Sequence, residues 1–130
     1  MVELEDKVVG KEWGTELWHD NNSRYCLKTL IAVSGKQLSC HKHLVKEETW
    51  VLTYGILLIQ IGNDNNISNT FIAKPGYVIR ISPGDYHRFT AITDVAVVVE
   101  ASTEHFDSDS YRSIGKESGD FLGLETWCGY

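Results

Sequence analysis

Hydrophobic and polar positions along the chain group into short runs that favour β-strands. Val, Ile, Thr, Tyr and Phe are frequent in these runs, and turns such as Lys74-Pro75-Gly76 separate them. Ile56–Ile61 is apolar on both faces apart from Gln60, as expected of a strand inside a barrel. The predicted strands are Tyr25–Val33, Gln37–His43, Thr49–Tyr54, Ile56–Ile61, Ile67–Ala73, Tyr77–Ile81, His87–Ile92 and Val95–Ala101. Short strands at this spacing predict a closed all-β sandwich or barrel.

A length of 130 residues indicates one domain, because a second hydrophobic core would be hard to fit. The predicted domain covers residues 1–130, with its core at about 25–101. The N-terminal segment 1–24 and the C-terminal tail 113–130 are expected to be peripheral. Helix is scarce, and Phe106–Arg112 is the stretch with room for one helical turn.

Charge and cysteine content exclude several classes of protein. A net charge of −6 argues against nucleic-acid binding, which needs a basic face. No apolar run approaches the roughly 20 residues that cross a bilayer, and the acidic N-terminus lacks the features of a secretion signal. Cys26, Cys40 and Cys128 are widely spaced, so neither a disulfide framework nor a thiolate zinc site is indicated, and Cys40 is expected to be a core thiol. These features predict a cytoplasmic protein without nucleic-acid or membrane partners.

Three histidines and one glutamate form a candidate metal site. His41 and His43 are two residues apart in a predicted strand, so their side chains leave the same face. Glu48 follows a short turn-like stretch and can reach back to the same point, and His87 follows a Pro-Gly-Asp-Tyr turn. Imidazoles with one carboxylate suit a divalent first-row metal: manganese, iron, cobalt, nickel or zinc. The sequence predicts one such ion per chain, held by His41, His43, Glu48 and His87.

The spacing of these residues resembles the two motifs of the cupin superfamily. Gly35, His41, His43, Glu48 and Gly55 reproduce the first cupin motif without a gap. In the second motif the glycine and histidine positions match at Gly84 and His87, whereas Ser82 stands at the proline position and Ala91 at the asparagine position. The resemblance implies a cupin fold, which is a double-stranded β-helix or jelly-roll barrel, and it implies the same four metal ligands.

Within the cupins, the chain is similar to the isomerase domain of type II mannose-6-phosphate isomerases over roughly residues 7–112. The similar segments are Lys11–Trp18, Leu38–His43, Glu48–Trp50, Ile81–Arg88 and Glu100–Arg112. The resemblance implies a metal-dependent isomerase of a sugar or sugar phosphate. Glu48 and Arg112 are then catalytic-site residues: Glu48 holds the metal, and Arg112 grips the substrate phosphate with its bidentate fork. Glu100 or a tyrosine is a candidate for the base.

The sequence departs from that family in ways that leave the function open. Ser113-Ile-Gly-Lys116 replaces an acidic stretch after Arg112, and the nucleotidyltransferase half is absent. A three-histidine, one-glutamate site also serves oxygen chemistry in cupins, so a non-haem metal-dependent dioxygenase is an alternative. A non-catalytic cupin that binds a small sugar is another. The expected partners are a small-molecule substrate and a second copy of the chain in a homodimer.

Several other residues carry weaker expectations. Trp13 and Trp18 either line a sugar site or, as we prefer, plug one end of the barrel. Trp50 is expected to pack inside on the same strand face as Glu48. Arg88 is a second candidate for binding an anion. His19 and His105 lie in loop-like segments and are expected to be surface residues rather than metal ligands.

Overall fold

A computed structural model describes residues 1–63, 69–112 and 119–120 of the chain. It consists almost entirely of strands, with one 3₁₀ turn at Asp107–Asp109. The strands are β1 Lys7–Lys11, β2 Gly14–Asn21, β3 Cys26–Val33, β4 Lys36–Gln37, β5 His41–Lys42, β6 Glu48–Tyr54, β7 Leu57–Gly62, β8 Asn69–Ala73, β9 Val78–Ile81, β10 Tyr86–Ala91, β11 Val95–Ser102, β12 Tyr111–Arg112 and β13 Gly119–Asp120.

The described strands form two antiparallel sheets that face each other. The first has the order β1-β2-β3-β11-β6-β9. In the second, β7 lies between β8 and one side of β10, while the short strands β4 and β5 pair with the other side of β10. β12 extends the sheet beyond β5, and β13 extends it beyond β4. Two facing antiparallel sheets of this kind confirm the predicted all-β barrel.

An apolar core fills one end of the space between the sheets. In β3, β6 and β11 every second residue is buried, which is the period-two pattern of strands with one face inward. Aromatic rings meet in this core: the ring of Phe89 lies 5.2 Å from that of Trp13 and 5.4 Å from that of Trp50, between centroids. Trp13 and Trp50 are each only 2% exposed. The opposite end of the barrel is therefore the one left for polar side chains.

The predicted strands are observed with small changes in their bounds, and some strands were not predicted. The run predicted as Gln37–His43 is interrupted, because the pairing with β10 stops after Gln37 and resumes at His41. β1 and β2 were not predicted, although β2 pairs with β3 through most of its length. The first two residues of the predicted strand Ile67–Ala73 lie outside the described residues, as does most of the tail 113–130.

Two further sequence expectations concern cysteines and membranes. Cys26 is free and buried. Cys40 is fully buried and disulfide-bonded, so the prediction of a core thiol at this position is wrong. No helix in the described part of the chain is long and apolar enough to cross a membrane.

Candidate metal centre

Three histidines converge at the polar end of the barrel. His41 on β5 lies directly opposite His87 on β10, and residues directly opposite in an antiparallel pair point to the same face. His43 follows β5 by one residue and returns to the same side. One ligand nitrogen from each of His41, His43 and His87 lies within 4.8 Å of the others, so the three could hold a metal ion. The structure thus brings together the three predicted histidines.

Backbone carbonyls orient all three imidazole rings. Nδ1 of His41 lies 2.8 Å from the oxygen of Ser39, and Nδ1 of His87 lies 3.0 Å from the oxygen of Asp85. Nδ1 of His43 lies 2.6 Å from the oxygen of Asp109. A carbonyl accepts only, so in each ring Nδ1–H donates and Nε2 keeps its lone pair. This is the tautomer that a metal-binding histidine requires.

The carboxylate of Glu48 closes the fourth side of this cluster. Its Oε2 lies 3.2 Å from Nε2 of His87 and 3.5 Å from Nε2 of His43. Its Oε1 accepts a hydrogen bond of 3.1 Å from Nε1 of Trp50. The expectation that Trp50 packs inside, on the face of Glu48, is therefore confirmed. The indole leaves the second oxygen of Glu48 directed at the histidines.

Two orphaned buried atoms test whether a metal fits. Oε2 of Glu48 and Nε2 of His87 are both buried and have no hydrogen-bond partner in the described protein. Buried polar atoms without a partner are rare, because leaving them unpaired costs roughly 1–3 kcal/mol each. Both atoms are of the type that divalent metals bind, and they lie 3.2 Å apart. The donor set therefore fits a metal ion.

Burial sets the ionisation of these ligands. Burial, helped by the neighbouring His87 and His43, holds the pKa of His41 well below its usual value. Burial also lowers the pKa of His43 to about 4, although the Glu48 carboxylate acts in the opposite direction. For His87 the Glu48 carboxylate outweighs burial and raises the pKa. His41 and His43 are consequently neutral near neutral pH, which is the form that binds metal.

The cluster lies on the wall of a cavity of about 430 Å³. Two buried charged residues, Lys46 and Glu100, also line this cavity and form an ion pair of 2.9 Å. Burial and the nearby Glu48 charge raise the pKa of Glu100 to about 7. Arg112 lines the same cavity from β12, where its backbone pairs with that of His41. The structure therefore places Glu48 and Arg112 at one cavity.

Asp109 is a residue of this centre that the sequence analysis missed. Besides its carbonyl bond to His43, its buried carboxylate accepts backbone N–H bonds from Leu44 at 2.9 Å and Lys46 at 3.0 Å. Val45 N–H lies 3.2 Å from the same carboxylate. Asp109 thus holds the short loop between His43 and Glu48. In the sequence Asp109 stands out only as an acidic residue shortly before Arg112. No local pattern shows that it would hydrogen-bond to the loop after His43.

The other residues singled out in the sequence differ in whether they line the cavity. Trp13 belongs to the apolar core and also forms part of the cavity wall, and Trp18 lines the same cavity. Arg88 is fully buried, donates from Nε to Oε1 of Gln60 at 2.7 Å and does not line the cavity, so it is not an anion-binding residue there. His105 is half-buried and lines the cavity, with its ring 6.4 Å from that of His43, and it is not one of the three histidines of the cluster. His19 lies outside the cavity and contacts Asp6.

Comparison with known proteins adds the name of the fold. No model of a protein family matches the sequence, and no curated protein is similar to it. The structure is similar to that of the capsular polysaccharide assembling protein CapF from Staphylococcus aureus, with a TM-score of 0.74 and 19% identity over 83% of this chain and 34% of that chain. It is also similar to oxalate decarboxylase from Bacillus subtilis, with a TM-score of 0.75 and 12% identity over 83% of this chain and 30% of that chain.

These neighbours establish the architecture and leave the activity to be argued from the site. Both contain a cupin β-barrel, so the predicted cupin jelly-roll fold is confirmed. The chain spans about a third of the length of these neighbours. At such low identity the similarity shows the fold alone. The chain therefore has a cupin-type barrel, and within it His41, His43 and His87 form a cluster that could hold a metal ion.

Proposed function

We propose that this cupin is a metal-dependent isomerase of a sugar or sugar phosphate, with His41, His43, Glu48 and His87 as the metal ligands. The observation that carries the proposal is that these four side chains open onto a cavity of about 430 Å³, large enough for a small polar molecule. The cavity also holds a buried carboxylate and an arginine, which are the other groups that the reaction needs. A divalent ion in this site would polarise the carbonyl and hydroxyl oxygens of the substrate.

We propose Glu100 as the carboxylate that moves the proton between the first two carbons of the substrate, and its position among the cavity carboxylates supports this choice over a tyrosine. Glu48 is directed at the histidines, and Oε1 of Glu16 is bound by the indole of Trp18 at 2.8 Å. The carboxylate of Asp107 is 95% exposed and so lies outside the enclosed part of the cavity. Glu100 is 4% exposed and lines the cavity, and its ion pair with Lys46 keeps it in place.

Arg112 is proposed to bind the phosphate of a phosphorylated substrate. Its side chain is exposed at the cavity, and its planar guanidinium can donate two parallel hydrogen bonds to a phosphate. The backbone pairing with His41 fixes the position of Arg112 relative to the candidate metal.

The test is turnover by protein loaded with manganese, cobalt or zinc. An aldose or ketose, phosphorylated or free, should be interconverted, and solvent deuterium should enter the second carbon of the product as expected for an enediol path. Glu100→Gln should abolish deuterium uptake while leaving the metal content unchanged. If no hexose or pentose is turned over with any of these metals, the isomerase proposal is wrong.

A metal-dependent dioxygenase is the second candidate, because imidazoles with one carboxylate also form the ligand set of non-haem iron oxygenases. Iron as the metal found in protein purified without added metal, together with oxygen uptake, would favour it. Micromolar sugar binding without turnover or oxygen uptake would instead favour a non-catalytic sugar-binding cupin.

We also propose that the chain forms a homodimer. Exposed apolar side chains on two edge strands support this, namely Val8 on β1 and Ile72 on β8, because unpaired sheet edges tend to associate. Light scattering should give twice the chain mass of 14.7 kDa at micromolar concentration. A mass of one chain would contradict the proposal.

A further inference from the structure

Lys28 is a buried lysine on the wall of the cavity. It lies on β3, directly opposite Trp18 on β2 and Glu100 on β11, so the three side chains point to the same inner face of the sheet. Lys28 is 3% exposed and lines the cavity that contains the candidate metal ligands. An ammonium group is rarely buried to this extent unless it is paired.

The contacts of Lys28 do not satisfy its ammonium group. Among the described residues, Nζ lies 3.6 Å from Oε1 of Glu16 and 3.4 Å from Nδ1 of His105. Oε1 of Glu16 also accepts a shorter bond of 2.8 Å from Nε1 of Trp18, and Nδ1 of His105 also faces Nζ of Lys46 at 3.3 Å. An ammonium has three N–H donors, and neither contact reaches the 2.7–2.9 Å typical of a charge-assisted bond.

Lys46, the other buried lysine of the cavity wall, has the close ion pair that Lys28 lacks. Lys46 is equally buried but is paired with Glu100 at 2.9 Å, and the carboxylates of Glu100 and Glu48 outweigh burial and raise its pKa. For Lys28, burial outweighs the carboxylate of Glu100 and lowers the pKa. The protein compensates the charge of one cavity lysine and leaves the other short of partners.

The surroundings of Lys28 leave room for a partner from the cavity. The ring of Trp18 lies under Nζ, 3.8 Å from its centroid, which stabilises the cation from one side. Glu16 and His105 lie at long range, the charges of Glu100 and Lys46 act on the ammonium in opposite directions, and Lys28 lines the cavity. Charge also favours an anion in this cavity, since Glu48 offsets only one of the two charges of a divalent ion.

We propose that Lys28 binds an anionic oxygen of the substrate, a carboxylate or phosphate oxygen, inside the cavity next to the candidate metal ligands. The inference rests on the proposed function in taking this cavity as the substrate site, and it narrows the substrate from sugars in general to small organic anions. Arg112 reaches the cavity from the outside, whereas Lys28 acts from its inner wall. An anionic oxygen of the substrate would therefore supply the close hydrogen-bond acceptor that the protein does not provide for Lys28.

Calorimetric titration of the zinc-loaded full chain tests this directly, because binding is measured without turnover. The probes are glucose, glucuronate and the phosphate ester of glucose at its terminal carbon, which share the sugar ring and differ mainly in charge. Lys28→Met keeps the length of the side chain but removes the charge, and Lys28→Arg keeps the charge. Lys74→Met, at an exposed lysine in a turn outside the cavity, is the matched control. Zinc content and thermal unfolding report whether each variant folds and holds metal.

The wild-type protein and Lys74→Met should bind at least one of the two anions about ten- to a hundredfold more tightly than glucose, as expected for a hydrogen bond to a charged group. Lys28→Met should lose this difference at unchanged zinc content, and Lys28→Arg should restore part of it. Which anion binds distinguishes a carboxylate site from a phosphate site. Equal affinity for glucose and the anions, no binding of any probe, or full anion affinity in Lys28→Met overturns the proposal. If anion binding depends on Lys28 but no sugar is isomerised, the inference about Lys28 holds and the proposed isomerase activity is rejected.

Discussion

The Nδ1 atom of His43 lies 2.6 Å from the backbone carbonyl oxygen of Asp109, a residue 66 positions away in the chain. The same residue uses its carboxylate to bind the loop that leads from His43 to Glu48. The last residue of the 3₁₀ turn therefore holds both the ring of one candidate ligand and the loop that positions another. Residues that hydrogen-bond to metal ligands without binding the metal themselves matter because they fix the orientation and tautomer of those ligands.

Asp109→Asn should weaken metal binding by about ten- to a hundredfold and lower the free energy of unfolding of the metal-free protein by roughly 1.5–3 kcal/mol. The variant places an amide N–H₂ where a backbone N–H donates. Competition with a chelator of known affinity measures the first effect, and urea unfolding measures the second. The exposed Asp94→Asn is the control and should change neither quantity.

The stability effect at Asp109 should also depend on pH. Burial raises the pKa of its carboxyl, but the N–H bonds from Leu44, Lys46 and Val45 outweigh burial, and the folded-state pKa is lower than usual. The charged form thus stabilises the fold above the unfolded pKa of roughly 4, and the stabilisation is lost as pH falls through the folded pKa. The difference in unfolding free energy between wild type and Asp109→Asn should shrink on acidification below about pH 4. A difference that grows there would contradict the role of the carboxylate.

Trp50→Phe should reduce metal affinity by about tenfold, because it removes the N–H that holds Oε1 of Glu48 at 3.1 Å. Trp13→Phe is a matched control: Trp13 packs on the same Phe89 ring, and its replacement loses core packing without touching Glu48. Both variants should unfold at lower urea concentration than wild type. Equal metal affinities in the two variants would show that the indole N–H does not position Glu48.

Gly35 and Gly55 have nearly the same φ angle, so alanine substitutions at the two positions can distinguish backbone strain from steric clash. Gly35 has φ +76° with nothing within 4 Å of an added Cβ, whereas Gly55 has φ +77° with the oxygen of Val95 only 2.2 Å from that position. Gly35→Ala should cost about 1–2 kcal/mol for the left-handed conformation alone. Gly55→Ala should cost clearly more, by roughly 2 kcal/mol or beyond, because backbone atoms must move. Equal unfolding free energies for the two variants would contradict the packing described at Gly55.

Arg112→Lys should mainly raise KM for a phosphorylated substrate, since lysine keeps the charge but lacks the bidentate fork. Steady-state kinetics measure the split between KM and kcat, with Arg24→Lys at an exposed position as the control. A fall in kcat at unchanged KM would place Arg112 in the chemical step and not in phosphate binding.

The candidate ligands could be predicted from sequence because their placement follows local rules. A two-residue spacing puts His41 and His43 on one side, and the turn before β10 brings His87 to the facing position. The same alternation explains why Arg88, one residue beyond His87, points away from the cavity and fails as an anion-binding residue. The period of the strand thus accounts both for His87, which faces the cluster, and for Arg88, which does not.

The residues around the ligands depend on contacts that no local pattern reveals. Asp109 and Lys28 look like ordinary charged residues in the sequence. Contacts between distant segments bring Lys28 to the cavity and Asp109 to the loop that follows His43. Strand β2 was also missed. Its inner face carries Glu16 and Trp18, which line the cavity, so the strand lacks the row of buried apolar residues that would have indicated it.

Metal content tests the central claim most directly. Elemental analysis of protein purified without added metal, and again after zinc loading and dialysis, should find about one divalent ion per chain in wild type. His43→Ala and His87→Ala should each lose most of it, whereas His19→Ala, which removes a histidine outside the cavity, should keep it. Circular dichroism should show that all three variants are folded. Equal metal content in wild type, His43→Ala and His87→Ala would contradict the account.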